Sequence, residues 1–437
     1  MRYHIWTEGC QMNVADSRRM ARSLENLGYQ PSSRPDQADV IVLNTCVVRQ
    51  SAEEKALGRL SSLKSLKQQN PNLVINLMGC LIGIHGNETL QKRFPWVDVF
   101  SPPSDPAPLL NFLSNRQAAH EASSWRQQID LILDQEFGVN TPGEARAISE
   151  NLPVVLGCSH ACTYCVIPLK RGREVSRSAE KIIAEAGAMV SQGVREVVLL
   201  GQIIDRYGLD LPGSPHLPEL LERLSRIPGL LRLRFLTSHP NWMTDQLIQT
   251  AAALPKVMPH IEVPIQAGDD EILAAMRRGY TNQQYRDLVA RLREQIPGVS
   301  IATDVIVGFP GESDAAFQKT YDLLADLKLD SAHLARYSPR PGTYSARFLE
   351  DNVPPEEKMR RFRLLEDLQE NIVGGINQAY LGQSLPVLFE YKNKGRWYGR
   401  TPTNRIVFVE TEQDLLGQER DVTITWTGPW SLLGQLS

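Results

Sequence analysis

Leu152-Pro153-Val154-Val155-Leu156-Gly157-Cys158-Ser159-His160-Ala161-Cys162-Thr163-Tyr164-Cys165 decides how the rest of the chain is read. An apolar run of strand length ends on three cysteines in the spacing Cys-x3-Cys-x2-Cys. Downstream, strand-like runs at 196–200, 231–237, 261–265, 301–307 and 332–337 alternate with helical patterns at 179–192, 219–226, 282–295 and 314–327. With the run at 152–156, six strand–helix units predict a barrel or partial barrel of parallel strands. Barrel enzymes keep their chemistry at the carboxyl ends of the strands, and the three cysteines follow the first strand.

Four cysteines would saturate a four-iron cluster, whereas three leave one iron open to a small chelating molecule. The amino and carboxylate groups of S-adenosylmethionine suit that iron. One-electron reduction would then split the sulfonium to a 5′-deoxyadenosyl radical, chemistry that belongs to the cofactor. The competing reading is a zinc knuckle or a redox thiol pair. His160 could complete a zinc set, but it lies inside the loop, and no other fourth ligand is near.

Upstream, 2–7, 40–44 and 73–78 read as strands, and 16–27 and 52–67 as helices, the first stopping at Gly28. This alternation predicts a parallel sheet covered by helices. Cys10, Cys46 and Cys80 each come just after one of these strands, so one sheet edge should gather all three thiols. That arrangement again suits a cluster with one open iron. Three buried structural cysteines are the alternative. Residues 116–150 are polar and aperiodic and contain Thr141-Pro142-Gly143, the mark of a linker. After a charged helical stretch at 355–369, short runs at 385–391, 396–401, 405–410 and 421–426 predict a small all-β module. The expected divisions are an α/β parallel-sheet domain over 1–115, a linker over 116–143, a partial TIM-like barrel over 144–370 and a small β-barrel over 371–437.

The 437 residues are 42% hydrophobic and 22% charged, ordinary for a soluble chain of two or three domains. No uncharged apolar run is long enough to span a bilayer, and the start lacks a secretory pattern, so a cytoplasmic protein with no membrane partner is expected. Six cysteines in such a chain favour metal binding over disulfides. The net charge of −3 confines any attraction for nucleic acid to a local surface. Residues 392–405 offer one. Lys392, Lys394, Arg396, Arg400 and Arg405 accompany Trp397 and Tyr398 there, without an acid. Cations track phosphates and aromatics stack on bases. A solvated face with core aromatics is the plainer reading, since Glu390, Glu410 and Glu412 flank it.

Nearly the whole chain resembles the radical S-adenosylmethionine methylthiotransferases, in the MiaB-type branch that acts on tRNA. The likeness is carried by Gly9-Cys10-Gln11-Met12-Asn13 with Asp16-Ser17, by Asn44-Thr45-Cys46, and by Gly79-Cys80. It continues through the cysteine loop with Arg171-Gly172-Arg173-Glu174 and Ser176-Arg177, then Thr237-Ser238-His239-Pro240 and Pro264-Ile265-Gln266. Residues 304–312 and 337–343 extend it, and the tail resembles a TRAM module, a small RNA-binding β-barrel. Three places depart: Gly201-Gln202-Ile203-Ile204-Asp205-Arg206-Tyr207-Gly208 stands where the family usually has Gly-Gln-Asn-Val-Asn-Ser-Tyr-Gly, Ser159 stands where Asn is frequent, and Leu81-Ile82-Gly83 follows Cys80 without the usual Gln.

The resemblance implies two 4Fe–4S clusters. One, on Cys158, Cys162 and Cys165, generates the radical; the other, on Cys10, Cys46 and Cys80, handles the sulfur to be inserted. It implies conversion of N6-isopentenyladenosine, next to the anticodon of tRNA, into its 2-methylthio derivative. A reductant protein such as flavodoxin or ferredoxin and a sulfur donor are the implied partners. Gln202, Ser238, Gln266 and Asp304 end or flank barrel strands, where polar groups could hold the cofactor's ribose and carboxylate. Tyr164 could pack near its adenine, and Arg336 and Arg340 could pair with a carboxylate or a phosphate. Ordinary strand-end hydrogen bonds, a core aromatic and a salt bridge to a barrel acid are the plainer roles. The alternatives within the same enzyme class are a ribosomal protein side chain as substrate, against which Gln11-Met12 argues, or threonylcarbamoyladenosine in tRNA. From another class, a non-catalytic iron–sulfur protein that binds RNA or carries electrons remains open.

Overall fold

The computed structural model describes residues 1–48, 50–85, 88–117, 147–213 and 215–437. Beyond Gln117, the expected linker lies outside the described residues. Two compact units divide the chain. The first comprises 1–145 with 156–160 and 165–175, and the second 146–155, 161–164 and 176–437.

The first unit is built on a parallel sheet of β1 (Arg2–Thr7), β2 (Gln30–Pro31), β3 (Val40–Thr45), β4 (Val74–Gly79) and β5 (Val99–Ser101), in the order β2-β1-β3-β4-β5. Its two central strands, β3 and β4, are buried at all six positions, as expected of strands covered on both faces. Ile41, Leu43, Ile75 and Leu77 face one apolar layer, and Val40, Val42, Val74 and Met78 the other. At roughly 1.5–3 kcal/mol per buried aliphatic side chain, this double facing fixes the register of the sheet. The register is level: Thr7 pairs with Asn44, and Thr45 with Gly79. The carboxyl ends of β1, β3 and β4 therefore stop on one line.

In the second unit, β6 (Ser149–Pro153), β9 (Glu196–Leu200) and β10 (Arg232–Phe235) form one three-stranded parallel sheet. A second contains β11 (His260–Glu262), β12 (Ser300–Val307) and β13 (Ser331–Arg336). Met258 N donates to Leu233 O and Ser238 N to Glu262 O, joining the two sheets into a six-stranded partial barrel. Between β6 and β9, the short strands β7 (Val155–Leu156) and β8 (Val175–Ser176) pair with each other. The crossover helices begin on side-chain caps: Ser178, Thr244, Ser313, and Thr281 in a capping box with Gln284.

The helix Pro355–Gln378 runs through residue 370 without a break, so the expected boundary there falls inside a helix. Beyond it, β14 (Ser384–Asn393), β15 (Arg396–Arg400), β16 (Ile406–Glu410), β17 (Glu419–Thr427) and β18 (Leu432–Leu436) close into a barrel in the order β14-β15-β16-β18-β17. Lys394 and Gly395 turn the first hairpin with φ of 48° and 82°, the left-handed pair that suits a two-residue turn. The last strand was not expected from the sequence. It is five residues long with Gly434 in its middle; it returns antiparallel to β17 across the short loop 428–431 and pairs parallel to β16 on its other side.

The module sits on the amino ends of the barrel strands. Glu196, the first residue of β9, lies between Arg234 Nε and Arg400 Nη2, each at 2.8 Å. Arg232, the first residue of β10, reaches Glu419 at 2.7 Å and the carbonyl of Arg400 at 2.6 Å. Arg405 pairs with Asp330, just before β13. Burial would push the Glu196 carboxyl up, but the two guanidiniums outweigh it and hold the group at about 2.

Candidate functional site

Cys10, Cys46 and Cys80 stand at the line where β1, β3 and β4 end, as the sequence led one to expect. Cys10 is the N-cap of the helix Gln11–Asn26. Gly9, before it, has φ +128°, and a Cβ there would come within 2.4 Å of Cys46 Cβ. Gly79, before Cys80, has φ +101°, and a Cβ would lie 2.5 Å from Thr45 O. Both glycines are required because the chain passes too close to its neighbours for a side chain. Cys80 N donates to Thr45 O at 3.0 Å. A hydrogen bond from Cys46 pulls the Cys10 thiol down to about 6, while burial pushes Cys80 up.

Asn13 and Asn44, both fully buried, tie these loops together. Asn13 Nδ2 donates to Thr45 O (2.9 Å) and Glu8 O (3.0 Å), and Asn44 Nδ2 to Asn13 O (2.8 Å). Against them lies Arg171. Its Nε donates to Cys80 Sγ (3.2 Å), and Nη2 donates to Asp16 (2.9 Å) and Asn13 Oδ1 (3.0 Å). The Arg171 and Asp16 side chains are 3% and 0% exposed. A buried guanidinium on a cysteine sulfur is the partner a metal-bound thiolate needs, and cysteines at three neighbouring strand ends are the residues that would hold an iron–sulfur cluster; among the described residues no three such side chains are already closed around one metal position.

The second cysteine loop is divided between the two units, and each part has its own contacts. In the first unit, Cys158 N donates to Gly172 O (3.0 Å), and His160 N lies 3.4 Å from Cys158 Sγ. Gly157, at φ +67°, has no room for a Cβ, which would sit 2.1 Å from Arg173 O. In the second unit, Thr163 N donates to Met276 O (3.1 Å) and its hydroxyl to Ala275 O (2.8 Å). Arg278 Nη1 donates to Cys162 Sγ (3.3 Å), while Nε and Nη2 reach Tyr280 Oη and Pro264 O. Sequence reasoning named Arg171 only within a motif and missed Arg278. Neither contact has a local signal, since each arginine meets its sulfur across about a hundred residues of chain.

The expected cofactor residues fall where barrel enzymes bind ligands. Gln202 follows β9, Ser238 follows β10, Gln266 follows β11, Asp304 lies within β12, and the exposed Arg336 ends β13. Ser238 Oγ is buried with no protein partner. Thr237 and Gln266, neither a glycine, hold φ of +67° and +75° at two of these strand ends. Such strain at a strand terminus marks a working site. Tyr164 packs edge-on to Phe309 at 6.5 Å. Burial, then the charge of Asp304, pushes Glu262 up to about 7.

Asp205, in the departing stretch, accepts from His239 N at 2.9 Å, and burial pushes its carboxyl up to about 7. The residue is half-buried, but the carboxyl oxygen Oδ1 itself is enclosed without a partner. A carboxyl whose folded pKa is raised contributes stability below its unfolded value, near 4, and loses it as pH rises through 7. Asp205→Asn keeps the acceptor and removes the charge. It is expected to stabilise the protein at pH 8 by on the order of 3 kcal/mol and to change little at pH 4.5. Urea unfolding at the two pH values checks this, and equal gains at both would refute it.

The structure narrows the expected RNA-facing set. Trp397 is 6% exposed, lies in the module core and donates Nε1 to Gln413 O. Its ring cannot stack on a base. Arg400 and Arg405 are spent on Glu196, Glu390 and Asp330, carboxylates that need counter-ions where the module meets the barrel. Lys392, Lys394 and Arg396 remain at the surface, with Arg396 2.6 Å from Glu410.

The comparisons agree with this geometry. The Radical SAM superfamily matches residues 152–324, the Uncharacterized protein family UPF0004 matches 2–101, and the TRAM domain matches 378–437. In solved structures, the radical S-adenosylmethionine methyltransferase TsrM from Kitasatospora setae shares the fold with a TM-score of 0.59 at 12% identity, over 79% of this chain and 76% of that one. The chain is 46% identical to the tRNA-2-methylthio-N(6)-dimethylallyladenosine synthase of Roseiflexus sp. over 100% of its own length and 90% of that protein. It is 45% identical to the protein of that name from Dehalococcoides mccartyi strain CBDB1, over 99% and 98%. By descent and by site, the chain belongs to the radical S-adenosylmethionine tRNA-2-methylthio-N(6)-dimethylallyladenosine synthase family.

Proposed function

We propose that this protein converts N6-isopentenyladenosine (dimethylallyladenosine) beside the anticodon of tRNA into 2-methylthio-N6-isopentenyladenosine. In this reading Cys158, Cys162 and Cys165 hold one 4Fe–4S cluster, and Cys10, Cys46 and Cys80 hold the second. The observation that carries it is the placing of three cysteines at three level strand ends of one sheet, with Arg171 on one sulfur. An enzyme that only cleaved S-adenosylmethionine would have no use for it.

When bound, the first cluster and S-adenosylmethionine supply one-electron chemistry able to open an unactivated C–H bond. The protein does the rest. Arg278 and Arg171 hold one sulfur of each trio. Ser238, Gln266 and Gln202 beyond the strand ends and Asp304 within β12 offer polar groups to the cofactor, with Tyr164 and Arg336 beside them. The target base leaves its stack in an unpaired loop, where extrusion costs less than in a duplex. Lys392, Lys394 and Arg396 give the module its phosphate-facing cations. A small acidic reductant such as flavodoxin or ferredoxin, and a sulfur donor, complete the cycle in the cytoplasm. Among the described residues no helix is long and apolar enough to cross a membrane.

Incubating the reduced, iron-loaded protein without oxygen with S-adenosylmethionine, a sulfur source and isopentenylated tRNA tests the reading. Nucleoside mass spectrometry should find the methylthio adduct. Release of 5′-deoxyadenosine with unchanged nucleosides would overturn the substrate assignment.

Arg278 makes a further prediction. Among the described residues its guanidinium donates to Tyr280, Pro264 and Cys162 and to no carboxylate, whereas Arg171 is paired with Asp16. Removing a cation beside a cluster disfavours gaining an electron. Arg278→Leu should lower the midpoint potential of the first cluster by on the order of 50–100 mV in an EPR redox titration. A potential unchanged within about 10 mV would show that the charge is screened.

A further inference from the structure

Beside the second cysteine loop, the barrel carries a surface that none of the roles above uses. The short helix Tyr344–Phe348 exposes two large aromatic side chains, Tyr344 at 42% and Phe348 at 68%. Their ring centroids are 4.9 Å apart with planes tilted by 44°. The guanidinium of Arg277 lies over the Tyr344 ring at 4.3 Å. Arg277 itself is exposed and holds φ +57°, a conformation that a non-glycine residue adopts only when its surroundings impose it. Apolar rings of this size in water, capped by a cation, are costly to leave uncovered and mark a binding face.

The placement says what covers it. Thr163, in the cysteine loop, connects both halves of the patch. Its backbone N donates to Met276 O, next to Arg277, and its carbonyl accepts from Ser345 N, next to Tyr344, at 2.9 Å. A ligand on the rings therefore lies beside the loop where the radical chemistry starts. Two exposed cations, Arg277 and Arg347, stand at the patch; of the two acids that follow the helix, Glu350 and Asp351, the second is taken by Lys358. Flat aromatic faces with guanidiniums at the edge are how proteins hold unpaired bases and their phosphates.

We infer that Tyr344, Phe348 and Arg277 form a stacking platform for an unpaired base of the substrate RNA, adjacent in the loop to the base that is modified. The inference rests on the tRNA reading and adds a place of contact to it.

The test is the affinity of the iron-loaded protein for an isopentenylated anticodon stem–loop, read by fluorescence anisotropy. The double variant Tyr344→Ala/Phe348→Ala should bind about tenfold more weakly or worse. The aromatic exchange Tyr344→Phe/Phe348→Tyr should stay within about threefold of wild type. Replacing the loop bases flanking the target one at a time with abasic sites should weaken wild-type binding at one position. The same replacement should cost the alanine variant nothing more. If no abasic site weakens wild-type binding, or if its effect and the alanine effect simply add, the platform is overturned, whether or not the variant folds well. Unchanged RNA affinity with slower reduction by flavodoxin would reassign the face to a protein partner and overturn it too. If wild-type protein fails to bind the stem–loop at all, the tRNA reading falls and takes the platform with it.

Discussion

Cys80→Ala is expected to abolish methylthiolation while S-adenosylmethionine cleavage persists. The side chain is almost wholly buried at the end of β4, with its sulfur against Arg171 Nε. Alanine removes one of three thiolates and leaves the Arg171 N–H without its acceptor in a dry site, at a cost of about 1–3 kcal/mol. Two remaining thiolates do not retain a cluster, so iron should fall from roughly eight to roughly four per chain. The loop at 158–165 is tied by its own contacts to Gly172, Met276 and Arg278, none of which involves Cys80. Methylthio product should fall at least about a thousandfold, while 5′-deoxyadenosine still forms. Iron analysis and nucleoside mass spectrometry read the two effects. Product at the wild-type rate from a chain holding four irons would remove the second trio from the mechanism.

The largest effect on stability is expected from Glu196→Ala. Glu196, Arg234 and Arg232 are each about 1% exposed, and the carboxylate neutralises Arg234 and Arg400 together. Taking away the shared anion leaves the Arg234 guanidinium out of water with no carboxylate, beside Arg400, which keeps Glu390. Breaking a buried pair in this way costs about 3–5 kcal/mol, far more than the pair would be worth against an apolar replacement. The loss should fall on the junction, because Arg234 also donates to the carbonyls of Pro402 and Thr401 across it. Differential scanning calorimetry should show the single transition splitting, with the module unfolding first. Proteolysis should begin near residues 379–384, between the helix Pro355–Gln378 and β14. A loss below about 0.5 kcal/mol would mean that water enters the junction and replaces the carboxylate.

Much of the site was legible because it depends on local pattern. Each of Cys10, Cys46 and Cys80 follows a strand, and parallel pairing in register does the rest, so strand position alone brings the sulfurs together. The crossover helices Asn282–Gln295 and Asp314–Leu327 were readable to the residue from apolar spacing and their capping threonine and serine. The interior of the site was not legible. Arg171 and Arg278 look like any surface arginine until the fold buries them against sulfur. The opposite error arose at 392–405. Spacing and composition made Trp397, Arg400 and Arg405 look RNA-facing, but Glu196 and Asp330, which claim the two arginines, lie 204 and 75 residues away. Charge in sequence does not say which partner will neutralise it.

The docking of the module on the amino ends of the barrel strands sets a distance. β12 alone runs eight residues, about 26 Å, from that end to the end where the ligand-facing residues gather. An RNA gripped by the module must therefore extend along the whole barrel before any base of it can reach the cysteine loop. Ion pairs at the junction would keep that span constant, and a module that grips RNA would then work as a caliper. A stem of matching length engages both ends, and the second contact forms at high effective concentration. A shorter or longer stem engages one end at a time and gains nothing from the other. Selectivity among RNAs with the same loop sequence would then reside in helix length, measured by a junction that touches no nucleotide.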